Sequence, residues 1–217
     1  MRFIGTIALT AAILTGAVAA AAAIGGHSEA AAAPTAHVVP AHRMSQSMHM
    51  SMSGHGSTDL PAAQIAKARL ATARYATDLD AAKADGYVPL TQQIAGMGWH
   101  FINPKVTGFD VRKPPILVYE KHGKTWQLGA LEWVFPQTPA TPPLKGASYG
   151  AFPAACHYAD GTFTVTPAQS GCAPTSPQSG AAFGFWHPDL VTLHVWIWYP
   201  NPDGLYASMN PLVDAFG

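Results

Sequence analysis

The sequence predicts an α+β domain: an N-terminal helix packed on an antiparallel sheet, with long Pro/Gly-rich loops. Three observations predict it. Apolar residues recur at helical spacing only between residues 65 and 79, short β-branched and aromatic runs follow residue 115, and Pro-, Gly- and Ser-rich stretches separate those runs.

Pro61 suits the first turn of a helix, where its missing amide costs nothing. Ile65, Ala68, Thr72, Tyr75, Ala76 and Leu79 then share one side, while Gln64, Lys67, Arg74 and Asp78 fall mainly on the other. Gly86 is a natural stop. The expectation is one helix of about six turns. Residues 116–119 form an apolar run, the Lys121-His122-Gly123-Lys124 stretch has turn chemistry, and 125–135 resumes as a strand, which reads as a hairpin. Residues 162–166 and 191–199 read as further strands, the last ended by Pro200. Residues 136–150 and 167–182 read as loops.

Ahead of this domain, Arg2 supplies a short positive region, and residues 3–24 are uncharged, mostly apolar and end in alanines. Residues 1–33 are therefore expected to be a cleaved export signal, with small-residue cleavage options near 21–23 or 30–32. A retained anchor is the competing reading, since the stretch is just long enough to span. Cleavage leaves no integral membrane span and sends the protein to the cell envelope or the exterior. Residues 34–58 have almost no large aliphatic side chains and no aromatic ones, so they are expected to form a disordered His/Met-rich tail. Residues 59–217 form the single globular domain.

Twelve basic and twelve acidic residues give a formal net charge of zero. A nucleic-acid binder needs a basic face to displace counterions, so that class is disfavoured. Two cysteines in an exported chain suggest a Cys156–Cys172 disulfide. Its short loop would contribute ~3 kcal/mol in the chain-entropy treatment.

Two groups of residues carry metal chemistry. In the tail, His42, Met44, Met48, His49, Met50, Met52 and His55 combine soft thioethers with imidazoles, a set suited to Cu(I) or Ag(I); a compositionally drifted linker is the plain alternative. In the domain, His100 follows two glycines, Glu132 shares an alternating face with Trp126, Leu128, Ala130 and Val134, and His194 shares one with Thr192, Trp196 and Trp198. Two imidazoles and a carboxylate suit zinc, iron or copper with an open coordination position. The plain alternatives are a hydrogen-bonded core residue for His100, a solvent-facing carboxylate for Glu132 and a sheet-to-helix packing layer at His194. His187 is a candidate fourth ligand or supporting residue. His122 is expected exposed in the turn, and His157 structural. Nucleophile elbows, phosphate loops and dinucleotide fingerprints are missing from the sequence.

Two longer stretches carry a resemblance. Gly96-Met97-Gly98-Trp99-His100-Phe101-Ile102-Asn103-Pro104 has the form GMGxHxxNP. Leu193-His194-Val195-Trp196-Ile197-Trp198, with Asn201-Pro202-Asp203-Gly204 and Asn210-Pro211, has the form LHVWxW…NPxG…NP. Together with Ala84-Asp85-Gly86-Tyr87 and Glu132-Trp133-Val134-Phe135-Pro136, they resemble a family of exported bacterial proteins of uncharacterised function. The resemblance implies no known activity; it points to His100, Glu132 and His194 as the site. The tail similarly resembles the Met/His-rich extracellular tails of eukaryotic copper transporters.

The functional expectation is an exported metal-binding protein, copper-related through its tail, with a second site in the domain. One alternative is a secreted metal-dependent or acid–base enzyme, with Glu132 as base and His194 as acid or ligand. Another is a non-catalytic binder that takes a small ligand on Trp99, Trp196 and Trp198.

Overall fold

The computed structural model describes residues 61–213. The signal segment and the His/Met-rich tail lie outside the described residues. Helices α1 (Pro61–Thr72) and α2 (Leu79–Ala84) precede nine strands: β1 (Val88–Ile94), β2 (Gly98–Ile102), β3 (Ile116–His122), β4 (Thr125–Phe135), β5 (Gly150–Phe152), β6 (Ala155–Tyr158), β7 (Phe163–Val165), β8 (Phe183–His187) and β9 (Leu190–Val195). A six-stranded antiparallel sheet runs β1-β2-β3-β4-β9-β5, and a smaller sheet runs β7-β6-β8. The class is α+β. Among the described residues no helix is long and apolar enough to cross a membrane.

The expected single helix is broken. After Thr72 the chain tightens into a short 3-10 turn at Ala73–Tyr75, and Asp78 then caps α2 by accepting from the Ala81 amide. The break frees two carbonyls for the sheet: Tyr75 O accepts the Tyr119 hydroxyl at 2.9 Å, and Ala76 O accepts the Leu128 amide at 2.7 Å. A continuous helix would have kept both carbonyls for itself. The inner face is otherwise as the spacing predicts, with Ala68, Thr72, Tyr75 and Leu79 buried. It packs on Leu117, Tyr119, Leu128, Leu131, Trp133, Leu193 and Val195. The opposite sheet face holds a smaller cluster of Leu90, Ile116, Val118, Ala130, Trp196 and Val213.

The hairpin forms as expected, with His122 opposite Thr125 across a two-residue turn. Its alternation has a fault that sequence period does not show. Val118 pairs with Ala130 but Tyr119 pairs with Leu128, so Gly129 is an extra residue on β4. The bulge moves Trp126 and Leu128 to the helix side, while Ala130 and Val134 stay on the far side. Glu132 therefore does not share a face with Trp126 and Leu128. The Gly129 carbonyl, turned out of the ladder, accepts the amides of Trp198 and Tyr199 at 3.1 and 3.2 Å. Accordingly β9 ends at Val195 rather than at Tyr199, and Trp198 leaves the His194 face. It packs against the helix-side core, with its indole N–H donating to the Thr72 hydroxyl at 3.0 Å.

Residues 155–158 and 183–187, unassigned in the sequence reading, form the small sheet with β7. Cys156 and Cys172 are joined, with Cα atoms 5.6 Å apart. The small sheet docks on β1: the Gln92 amide donates to Gly161 O at 2.8 Å, and His157 Nδ1 lies 2.9 Å from Leu90 O.

Candidate metal centre

Three strands of the large sheet carry the site, β2, β4 and β9, with β3 between the first two. His100 lies on β2 opposite Val118 of β3, and Val118 lies opposite Ala130 of β4. Two residues beyond Ala130, on the same face, is Glu132, and directly opposite Glu132 on β9 is His194. Strand pairing thus carries all three side chains to the sheet face away from the helices. Gly98 makes this register possible. It holds φ of 98°, and a Cβ there would lie 2.4 Å from Tyr119 O, so only glycine lets β2 lie this close to β3.

His100, Glu132 and His194 each offer a ligating atom, and those atoms lie within 4.8 Å of one another. Glu132 Oε2 is 3.6 Å from His100 Nε2 and 3.7 Å from His194 Nε2. The rings stand nearly perpendicular, 82° apart with centroids at 5.9 Å. All three residues are buried, with relative exposures of 4%, 3% and 2%.

At these separations no direct hydrogen bond forms, and Glu132 Oε2 and both ring nitrogens of His194 lack any partner among the described residues. Nor is the group an ion pair. Burial, reinforced by the neighbouring His194 ring, pushes His100 down to about 3. Burial alone lowers His194 to about 4 and raises Glu132 to about 8. Each side chain is held in its neutral form near pH 7. A buried polar group without a partner costs roughly 1–3 kcal/mol. A cation shared by the three atoms would satisfy them together.

His100 is oriented from behind: its Nδ1 lies 2.9 Å from Thr91 Oγ1, which also accepts the His100 amide at 3.3 Å. In the tautomer whose Nδ1–H donates to Thr91, the Nε2 lone pair faces Glu132. His194 has no such support among the described residues; its Nδ1 is unpartnered there, and its ring lies nearly parallel to that of Trp196, 14° off with centroids 6.3 Å apart.

No protein-family model, curated protein or solved structure matches this chain.

His187 does not join the group. Its Nε2 faces His157 Nε2 at 3.1 Å, and its Nδ1 meets Pro188 O. Pairing Ala155 with His187 in the small sheet fixes it there. His157 is buried, with its Nδ1 2.9 Å from Leu90 O. His122 is half-buried and contacts Glu120 at 3.2 Å rather than standing free in the turn. Of the three tryptophans considered as one ligand surface, Trp196 alone stays beside His194; Trp99 and Trp198 pack against the helix-side core.

Sequence reasoning missed the cavity above the trio. It encloses about 180 Å³, with Leu90, Ile94, Met97, Phe152, Pro153, Phe163 and Val165 as apolar walls and the trio with Thr192 at one end. Its walls come from both sheets, and a pairing between segments so distant in sequence leaves no local signal.

Proposed function

We propose that the domain binds one divalent metal ion through His100 Nε2, Glu132 and His194 Nε2. The observation that carries this is the set of buried ligand atoms lying within 4.8 Å of one another, with Glu132 Oε2 and His194 Nε2 otherwise unpartnered among the described residues. Two imidazoles with one carboxylate favour zinc or non-haem iron, and the hard carboxylate disfavours Cu(I). The soft-metal role then belongs to the His/Met-rich tail, so the whole chain reads as an exported metal-binding protein with two chemically different sites. The test is Co(II) titration of the full chain followed by its visible absorption. One low-symmetry Co(II) site should appear per chain and vanish in His194→Ala; bands that persist unchanged in that variant contradict the reading.

A second reading, a metal-dependent or acid–base enzyme, is favoured by a carboxyl group whose pKa is raised to about 8 at the end of a cavity. There Glu132 is the base, and turnover lost in Glu132→Gln without loss of fold is the expected result.

A further inference from the structure

Taking the metal reading as given, we infer that the cavity binds a ring-sized apolar molecule bearing one anionic oxygen, a carboxylate or phenolate, which occupies the open position on the metal.

Size comes first. At about 180 Å³ the cavity is far smaller than a drug-sized site, and an apolar cavity of about 150 Å³ is enough to hold benzene. One ring or a short branched chain fills it. Polarity sets the orientation. The deep end is the buried trio, and the rim carries exposed Ala151, Pro153 and Val165, the last 60% exposed. Between them Phe152 and Phe163 are partly open. A ligand with a polar head and an apolar body enters head first, because the reverse pose sets its apolar body against the buried trio and leaves those polar groups without a partner.

Charge sets the class. Metal-bound histidines are neutral, and Glu132 supplies a single negative charge, so a divalent ion leaves the centre with one positive charge. Among the described residues no lysine, arginine or second carboxylate lines the cavity. A monoanion brings that centre to neutrality inside apolar walls; a dianion overshoots, and a cation is repelled. Three protein ligands leave a position where the anion can bind.

The experiment uses the full chain loaded with Co(II) and titrated with benzoate, acetate and benzylammonium, reading the Co(II) absorption bands. Benzoate should shift the bands and bind at least tenfold tighter than acetate, and benzylammonium should leave them unchanged. Val165→Asp places a negative charge at the cavity mouth; it should weaken benzoate at least threefold while the Co(II) bands of the ligand-free protein still form. Co(II) bands that form normally but do not respond to benzoate overturn this inference alone. So do equal affinities for acetate and benzoate. Failure of the bands to form overturns the metal reading and this inference with it.

Discussion

His187 Nε2 lies 3.1 Å from His157 Nε2, on the small sheet rather than at the Glu132 carboxylate. The other nitrogen of each ring meets a backbone carbonyl, Pro188 O at 2.6 Å and Leu90 O at 2.9 Å. Each Nδ1 is held by a backbone carbonyl, and each Nε2 faces the other ring rather than Glu132. His187→Ala should change Co(II) affinity at the domain site by less than about threefold, whereas His194→Ala should lower it at least a hundredfold. Parallel titrations compare them, and equal losses would place His187 among the ligands.

Metal binding should release a proton from Glu132. Near pH 7 the histidines are already neutral, with pKa values of about 3 and 4, while the Glu132 carboxyl, raised to about 8, is still protonated. Each ion therefore displaces about one proton, and affinity should rise about tenfold per pH unit until about pH 8. Calorimetry in buffers of different ionisation enthalpy counts the proton. Affinity independent of pH between 6 and 8 contradicts a protonated Glu132.

Stability of the metal-free domain should fall on both sides of a maximum near pH 6.5. His100, His194 and His157 have folded values of about 3, 4 and 4, below the free-imidazole 6.5. Their contribution is complete above pH 6.5 and is lost as pH falls through the folded values, because the unfolded chain takes up protons first. Glu132 works in reverse. Its folded value of about 8 exceeds the ordinary 4.5, so its contribution is complete below 4.5 and is lost as pH rises through 8. Between 4.5 and 6.5 the three histidines outweigh the single carboxyl. Denaturation midpoints across pH 4–8.5 test this, and saturating zinc should remove the alkaline decline.

Gly98→Ala should destabilise the domain by on the order of 3 kcal/mol, combining a strained positive φ with a Cβ driven against Tyr119 O. Because β2 carries His100, the variant should also lose metal affinity. Urea denaturation measures the first effect and Co(II) titration the second. Gly123→Ala has open space around the new Cβ, so it reports the φ penalty alone and should cost less.

What was legible in the sequence followed the strength of local patterning. The inner face of α1 and the β3–β4 hairpin could be read because period and turn chemistry lie within a few residues of each other. The helix break could not, since it depends on Tyr119 and Leu128 taking the carbonyls of Tyr75 and Ala76. The Gly129 bulge, with one residue too many between Leu128 and Ala130, reversed the face of Trp126 and Leu128. Glu132 kept its place because it lies beyond the bulge, paired with His194. Both longer motifs contain at least two kinds of residue. His100 and His194 face the site. Asn103 and Asn210 fasten the backbone, the first donating to Asp85 O and the second to Pro200 O.

The most direct test of the central claim is anomalous diffraction from crystals of the full chain grown with zinc, measured above and below the zinc absorption edge. A single domain peak should lie about 2.0–2.2 Å from His100 Nε2, His194 Nε2 and a Glu132 oxygen. Zinc bound elsewhere in the domain, with no peak among these three side chains, would contradict the account.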